Sequence, residues 1–241
     1  MDKSSKHFFF WKKSNEAGKM DNIYLPSREN SIPYEDYEFS KYVGIDLWSS
    51  FYHQISEILT ISSKTDSILE IGKGTGILGG VLKELGYSYE SMDINPNLNP
   101  MHVGSVEKIP FDDNSFEVIG CFQVLEHLPY DKFSDALSEL FRVANKAVII
   151  SLPNAKRAYP FYLYFPRILH KKILIPVMFY VPNNYPMDPD HHWEINRKTY
   201  NIRKVKEKLQ NVAKKFGFSL KRDYRNWENS YHHFFIFYKQ N

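Results

Sequence analysis

Residues 68–76 read Ile-Leu-Glu-Ile-Gly-Lys-Gly-Thr-Gly, an apolar run that breaks into three alternating glycines, Gly72, Gly74 and Gly76. Glycine takes positive φ at little cost and lets a ligand lie directly against the backbone. A turn of this kind opening into a helix aims free amide groups at that ligand. Tyr87 to Met92 reads as the next strand and ends at Asp93, where a carboxylate can accept both hydroxyls of a ribose. Strand, glycines, helix, strand and acid make a nucleoside-binding unit. Gly74-Thr75-Gly76-Ile77-Leu78-Gly79 also fits the G-x-G-x-x-G dinucleotide fingerprint, which keeps a nicotinamide-dependent reductase as an alternative. Glu70 bears on the choice. Its negative charge is unhelpful beside a pyrophosphate and welcome beside a ligand with a cationic amino-acid end.

A second set of reactive groups lies in Asp188-Pro189-Asp190-His191-His192-Trp193-Glu194-Ile195. His191 or His192 can act as a general base or position an acceptor. The plainer alternative is a His-rich loop anchored by Trp193. The nine histidines contain no H-x-x-x-H pair and the lone Cys121 excludes C-x-x-C, so no metal site is expected. Cys121 falls inside an apolar run, where a small core residue is the ordinary reading. It cannot form an intrachain disulfide, which is compatible with a reducing compartment.

The elements that must hold these groups follow from periodicity. Apolar residues at Val43, Leu47, Phe51, Ile55 and Leu59 give one face of a helix within 37–61. Strands are predicted at 67–71, 87–92, 116–122, 147–152, 218–221 and 233–238, with helices at 77–85, 133–144 and 202–216. Phe133, Ala136, Leu137, Leu140, Phe141 and Ala144 give the clearest amphipathic stripe. Strands alternating with helices imply a mostly parallel sheet covered on both faces. Residues 1–36 read as an arm and 37–241 as one domain with an insert at 153–195. That insert is too long for an ordinary connection and is expected to be a lid or pocket wall.

The segment 104–119 leads into Gln123-Val124-Leu125-Glu126-His127-Leu128. Together with the glycine turn it resembles the class I S-adenosylmethionine-dependent methyltransferases. The nearest subgroup is the small-molecule set that includes quinone-biosynthesis enzymes. The resemblance implies an α/β, doubly wound, Rossmann-like seven-stranded sheet with an antiparallel last strand, and S-adenosyl-L-methionine as cofactor. By position it implies that Glu70 holds the methionine end, that Gly72, Gly74 and Gly76 line the turn, and that Asp93 takes the ribose. Ile94 would pack on adenine, Ser105 and Val106 would read its edge, and Gln123 would stand beside the methionine moiety. His127 matches a frequent family pattern near the methyl donor. Two positions depart from the family. Ser105 replaces an acid, which removes charge assistance to the adenine amine. Lys73 replaces a small residue, and either points to solvent or neutralises the cofactor carboxylate. A non-catalytic methyltransferase-like binding protein is the rival these departures support.

Composition narrows the partners. Hydrophobic residues are 43% and charged residues 24%, ordinary globular usage, and the net charge of +3 does not point to nucleic acid. Aromatics reach 16%, and Tyr159–Tyr180 is dense in them. That insert is expected to enclose an apolar acceptor, with a peripheral membrane contact or extra core as alternatives. Its prolines and central basic residues exclude a spanning helix, and the first residues have too short an apolar run for a signal peptide. A cytoplasmic location is therefore expected. Residues 197–222 hold ten Lys or Arg against one Glu, a solvated helix face or an attractor of anionic acceptors. The expected reaction is methyl transfer to a small or lipid-linked acceptor, with oxygen of a sugar or isoprenoid-type intermediate as the target.

Overall fold

The computed structural model describes residues 44–166, 169–176 and 184–240. The expected arm lies outside the described residues, as does Val43, the first residue of the expected helical stripe. The chain forms α1 (Ile45–Ile61), β1 (Ser67–Ile71), α2 (Ile77–Glu84), β2 (Ser88–Asp93), β3 (His102–Val103), β4 (Phe116–Phe122), α3 (Phe133–Val143), β5 (Ala144–Pro153), β6 (Ala158–Phe165), β7 (Leu169–Pro176), α4 (Ile202–Lys215), β8 (Phe218–Arg225) and β9 (His232–Lys239). Seven strands make one sheet in the order β3-β2-β1-β4-β5-β9-β8. The first five are parallel, and β9 inserts antiparallel between β5 and β8. This is the expected doubly wound sheet, with strands buried on both faces reading as continuous apolar runs.

Two apolar layers flank the sheet. On one face Ile58 and Ile61 of α1 and Leu78 and Leu82 of α2 pack on Ile68, Val118 and Ile149. On the other, the α3 stripe and Val205, Leu209, Val212 and Ala213 of α4 pack on Leu69, Ile119, Val148 and Ile150. The apolar stripe expected on α1 is only partly buried. Its most buried line is Ser50, Gln54, Glu57, Ile58 and Ile61, because the first half of the helix forms a cavity wall and the second half reaches the core. Glu57 there receives hydrogen bonds from Arg222 and from the Tyr224 hydroxyl.

The insert contains regular structure that its sequence did not announce. β6 and β7 pair antiparallel as a hairpin separate from the main sheet. One face rests on the turn before β9, with Tyr162 at 6.0 Å from the Trp227 ring and Lys172 paired to Glu228 at 2.9 Å. The other face holds Tyr159, Phe161, Phe165, Ile173 and Ile175, about half exposed each. Two prolines and aromatics on both faces hide the two-residue period that would have announced these strands. Among the described residues no helix is long and apolar enough to cross a membrane.

Candidate functional site

A cavity of about 710 Å³ opens at the C-terminal ends of β1, β2 and β4. The strand order reverses between β1 and β4, and open α/β sheets bind ligands at such a point. Its volume lies in the range of small-molecule sites. One side is built from the ends of β1 and β2 and the turns after them, and the other from α1 and from residues 185–191 and 229–232, with Gln123, Val124, His127 and Leu128 after β4 joining the two.

On the first side β1 ends at the glycine turn. Gly72, Gly74 and Gly76 all have positive φ. A Cβ on Gly72 would collide with Val124, so this glycine is required by packing as well as by conformation. Glu70 is 4% exposed and its carboxylate accepts the Tyr89 hydroxyl. Burial pushes its carboxyl up to about 8. The last glycine of the apparent dinucleotide fingerprint, Gly79, makes room for the Tyr89 ring. This close approach of α2 to β2 is what the third glycine provides in a dinucleotide site as well, so Gly79 does not separate the two readings. Asp93 accepts backbone N–H from Gly74 at 3.3 Å and Asn95 at 2.9 Å, and burial raises its carboxyl despite them.

Ile94, Ser105 and Val106 line the same side. The Ser105 hydroxyl oxygen accepts the Glu107 N–H at 3.2 Å, which holds it in place as a neutral group. Lys73 donates to the Leu98 carbonyl and to the Asn99 carbonyl at 3.0 Å. Its ammonium thus ties the glycine turn to the turn after β2, an arrangement neither sequence alternative foresaw. Gln123 lines the cavity at the end of β4 with φ of 54°, a left-handed conformation uncommon away from glycine. Its amide donates to the Ser151 hydroxyl at 3.0 Å, which fixes the side chain. A buried acid, a glycine turn and a second acid along one wall fit the amino-acid, thioether and ribose parts of S-adenosylmethionine.

Across the cavity His127 and His191 meet edge to face, 4.8 Å between ring centres. His127 follows β4 in a short 3₁₀ turn, Leu125–His127. His191 arrives on the segment after the hairpin, held by backbone bonds from Ala155 to Ile195 at 2.8 Å and from His192 to Glu126 at 2.9 Å. Burial and the neighbouring His191 lower the His127 pKa. Burial also opposes charge on His191, but the Glu194 hydrogen bond and the Glu126 charge outweigh it and raise its pKa. Glu194 resists burial through His191, Tyr231 and Arg197 and is held at about 2.

Gly76 does not line the cavity. It caps α2 in the left-handed region, one step behind the wall. His192 is exposed and outside the cavity, since Trp193 turns into the core between Tyr130 and Phe133 and sets the adjacent side chains outward and inward. Tyr89, Glu194 and Tyr231 escaped the sequence reading. Only Glu194 left a trace there, three residues after His191.

Comparison with known proteins agrees with this geometry. Residues 69–151 match the family model described as a methyltransferase domain. No curated protein matches the chain. Among solved structures, the small RNA methyltransferase HEN1 aligns with TM-score 0.54 and 15% identity over 80% of this chain. The chain spans 25% of the length of that protein. PH0226 protein from Pyrococcus horikoshii OT3 aligns with TM-score 0.53 and 13% identity, over 87% of this chain and 100% of the other. Magnesium protoporphyrin IX methyltransferase from Synechocystis PCC 6803, with bound S-adenosylhomocysteine, aligns with TM-score 0.50 and 12% identity, covering 87% and 89%. At such identities the likeness is one of fold.

Proposed function

We propose that this class I S-adenosylmethionine-dependent methyltransferase methylates an oxygen of a small or lipid-linked acceptor, a sugar or isoprenoid-type intermediate. One observation carries the reading. A single cavity has the donor-type wall of Glu70, the glycine turn and Asp93 on one side, and His127, His191 and Tyr231 on the other. When bound, the cofactor supplies an electrophilic methyl on sulfonium. The chain must then align an oxygen with it and keep water out, and proximity provides most of the rate.

Glu70 would orient the ammonium end and Asp93 the ribose, with Ile94 and Val106 against adenine and Ser105 at its edge. Gln123, held by Ser151, would stand beside the sulfur. His127 and His191 would receive the acceptor hydroxyl. Leu47 and Phe51 of α1 and Met187 give that end an apolar lining suited to an isoprenoid or ring-bearing acceptor. The open aromatic face of the β6–β7 hairpin, with Lys171 at its tip, favours contact with a membrane surface that presents such acceptors. A nucleic-acid acceptor is not favoured, because the mouth is lined by these apolar groups and by Asp188 rather than by a basic groove.

Titration calorimetry with S-adenosylhomocysteine tests the donor half. Asp93→Ala should weaken binding by about 3 kcal/mol, roughly a hundredfold, for the loss of charge-assisted ribose bonds. Unchanged affinity would remove Asp93 from the site. Donor binding without turnover across sugar and polyprenyl acceptors would favour the non-catalytic reading that Ser105 supports.

A further inference from the structure

We infer that Glu126, His127 and His191 form a binding site for one divalent transition-metal cation at the acceptor end of the cavity. Spacing along the chain gives no hint of it, since the third residue lies far from the first two. The fold brings a donor atom from each to within 4.8 Å of the others.

The state of Glu126 is the main observation. The residue is 0% exposed, and neither carboxylate oxygen has a hydrogen-bond partner. A buried carboxylate left this way is costly, and buried polar groups in native proteins are almost always satisfied. His191 Nε2 stands 3.9 Å from Oε1, beyond hydrogen-bond reach. A cation between them would satisfy both.

The histidines are oriented for that role. His127 faces the Asp190 carbonyl through Nδ1 at 3.1 Å, and a carbonyl can only accept, so Nδ1 carries the proton. His191 places Nδ1 3.1 Å from the Glu194 carboxylate, which likewise accepts. Each ring is left with an Nε2 lone pair. Metal-binding histidines commonly have this second partner, which fixes tautomer and ring angle. Glu194 is itself held by Arg197 at 2.8 Å and Tyr231 at 2.6 Å. The supporting groups are therefore built as firmly as the ligands.

Two imidazole nitrogens and one carboxylate suit zinc, manganese, iron or nickel, with positions left for exogenous ligands. His127 and His191 both line the cavity, so those positions face it. Resting on the proposed methyl transfer to oxygen, the ion would bind the acceptor hydroxyl. The O–H bond would break with its electron pair kept on oxygen and its proton passed to solvent water. The histidines would then be ligands rather than bases.

The test uses the full chain stripped with a chelator. Manganese uptake is read by loss of the free Mn²⁺ paramagnetic resonance signal, and zinc by calorimetry. One ion per chain is expected. Glu126→Gln and His191→Gln should each weaken uptake at least tenfold while S-adenosylhomocysteine affinity stays within about twofold. Glu194→Gln, which touches no ion, should weaken it roughly ten- to a hundredfold. Should His191→Gln lose S-adenosylhomocysteine binding as well, His127→Gln replaces it. Absence of near-stoichiometric uptake, or equal uptake by wild type and Glu126→Gln, overturns the site. Because S-adenosylhomocysteine binding is followed separately, failure of the metal site and failure of the donor reading are distinguishable.

Discussion

Glu70 enters the donor wall as a protonated acid. Burial holds its carboxyl at about 8, so at pH 7 most molecules carry the proton before any ligand arrives. An incoming ammonium favours the ionised form, and the proton must leave as the ligand binds. Affinity for S-adenosylhomocysteine should therefore rise with pH between about 6 and 8, approaching tenfold per unit at the steepest. Calorimetry in buffers of different ionisation enthalpy should register release of close to one proton at pH 7. Glu70→Gln should bind more weakly and lose the slope, whereas a flat profile in the wild type would place the ammonium elsewhere. At this scale the sequence was informative where neighbours are local. Glycines that need positive φ, and an acid at a strand end, announce themselves. Lys73 did not, because its partners are the carbonyls of Leu98 and Asn99, which no side-chain pattern marks.

Among the elements, the β6–β7 hairpin stands apart. The aromatic side chains of both its faces are about half exposed; Trp227 and Glu228 touch one face through Tyr162 and Lys172, and the other face leaves Phe161 and Ile173 paired across the strands. If that face meets a membrane, Phe161→Ser with Ile173→Ser should lower co-sedimentation with vesicles containing anionic lipid by roughly tenfold, about 0.7 kcal/mol for each lost side chain, and leave S-adenosylhomocysteine binding intact. Equal sedimentation of wild type and variant would end that reading. The central strands β1, β4 and β5 were legible because each contains a short apolar run that is buried whatever its neighbours. The hairpin was not, since apolar side chains on both faces erase the alternation by which half-buried strands are recognised. β3 escaped for a simpler reason: two residues, His102 and Val103, carry no period.

Across the whole molecule, the acceptor side is joined to the core by Trp193. It is fully buried against Tyr130 and Phe133, one residue beyond a histidine that never reaches the cavity and two beyond one that does. Trp193→Ala should cost about 3–5 kcal/mol of folding stability, read as a lower midpoint of urea unfolding. Loss of less than about 1 kcal/mol would mean that the loop anchors elsewhere. The meeting of His191 with Glu126 and His127 depends on this long-range docking and on strand-like backbone bonds from Ala155 and His192. Periodicity reports only local geometry, which is why single residues on both sides were recognisable while their convergence was not.

The two walls come from different stretches of chain. The donor side runs from β1 to Gln123 just after β4, whereas the acceptor side is assembled from α1 before that stretch and from residues 185–232 after it, with His127 added from the turn that follows β4. Inheritance can act on these stretches separately. Substitutions in the flanking stretches can accumulate, recombine or be selected for a new acceptor while the donor wall is passed on unaltered, so descendants of one such gene could diverge in what they modify without diverging in what they consume.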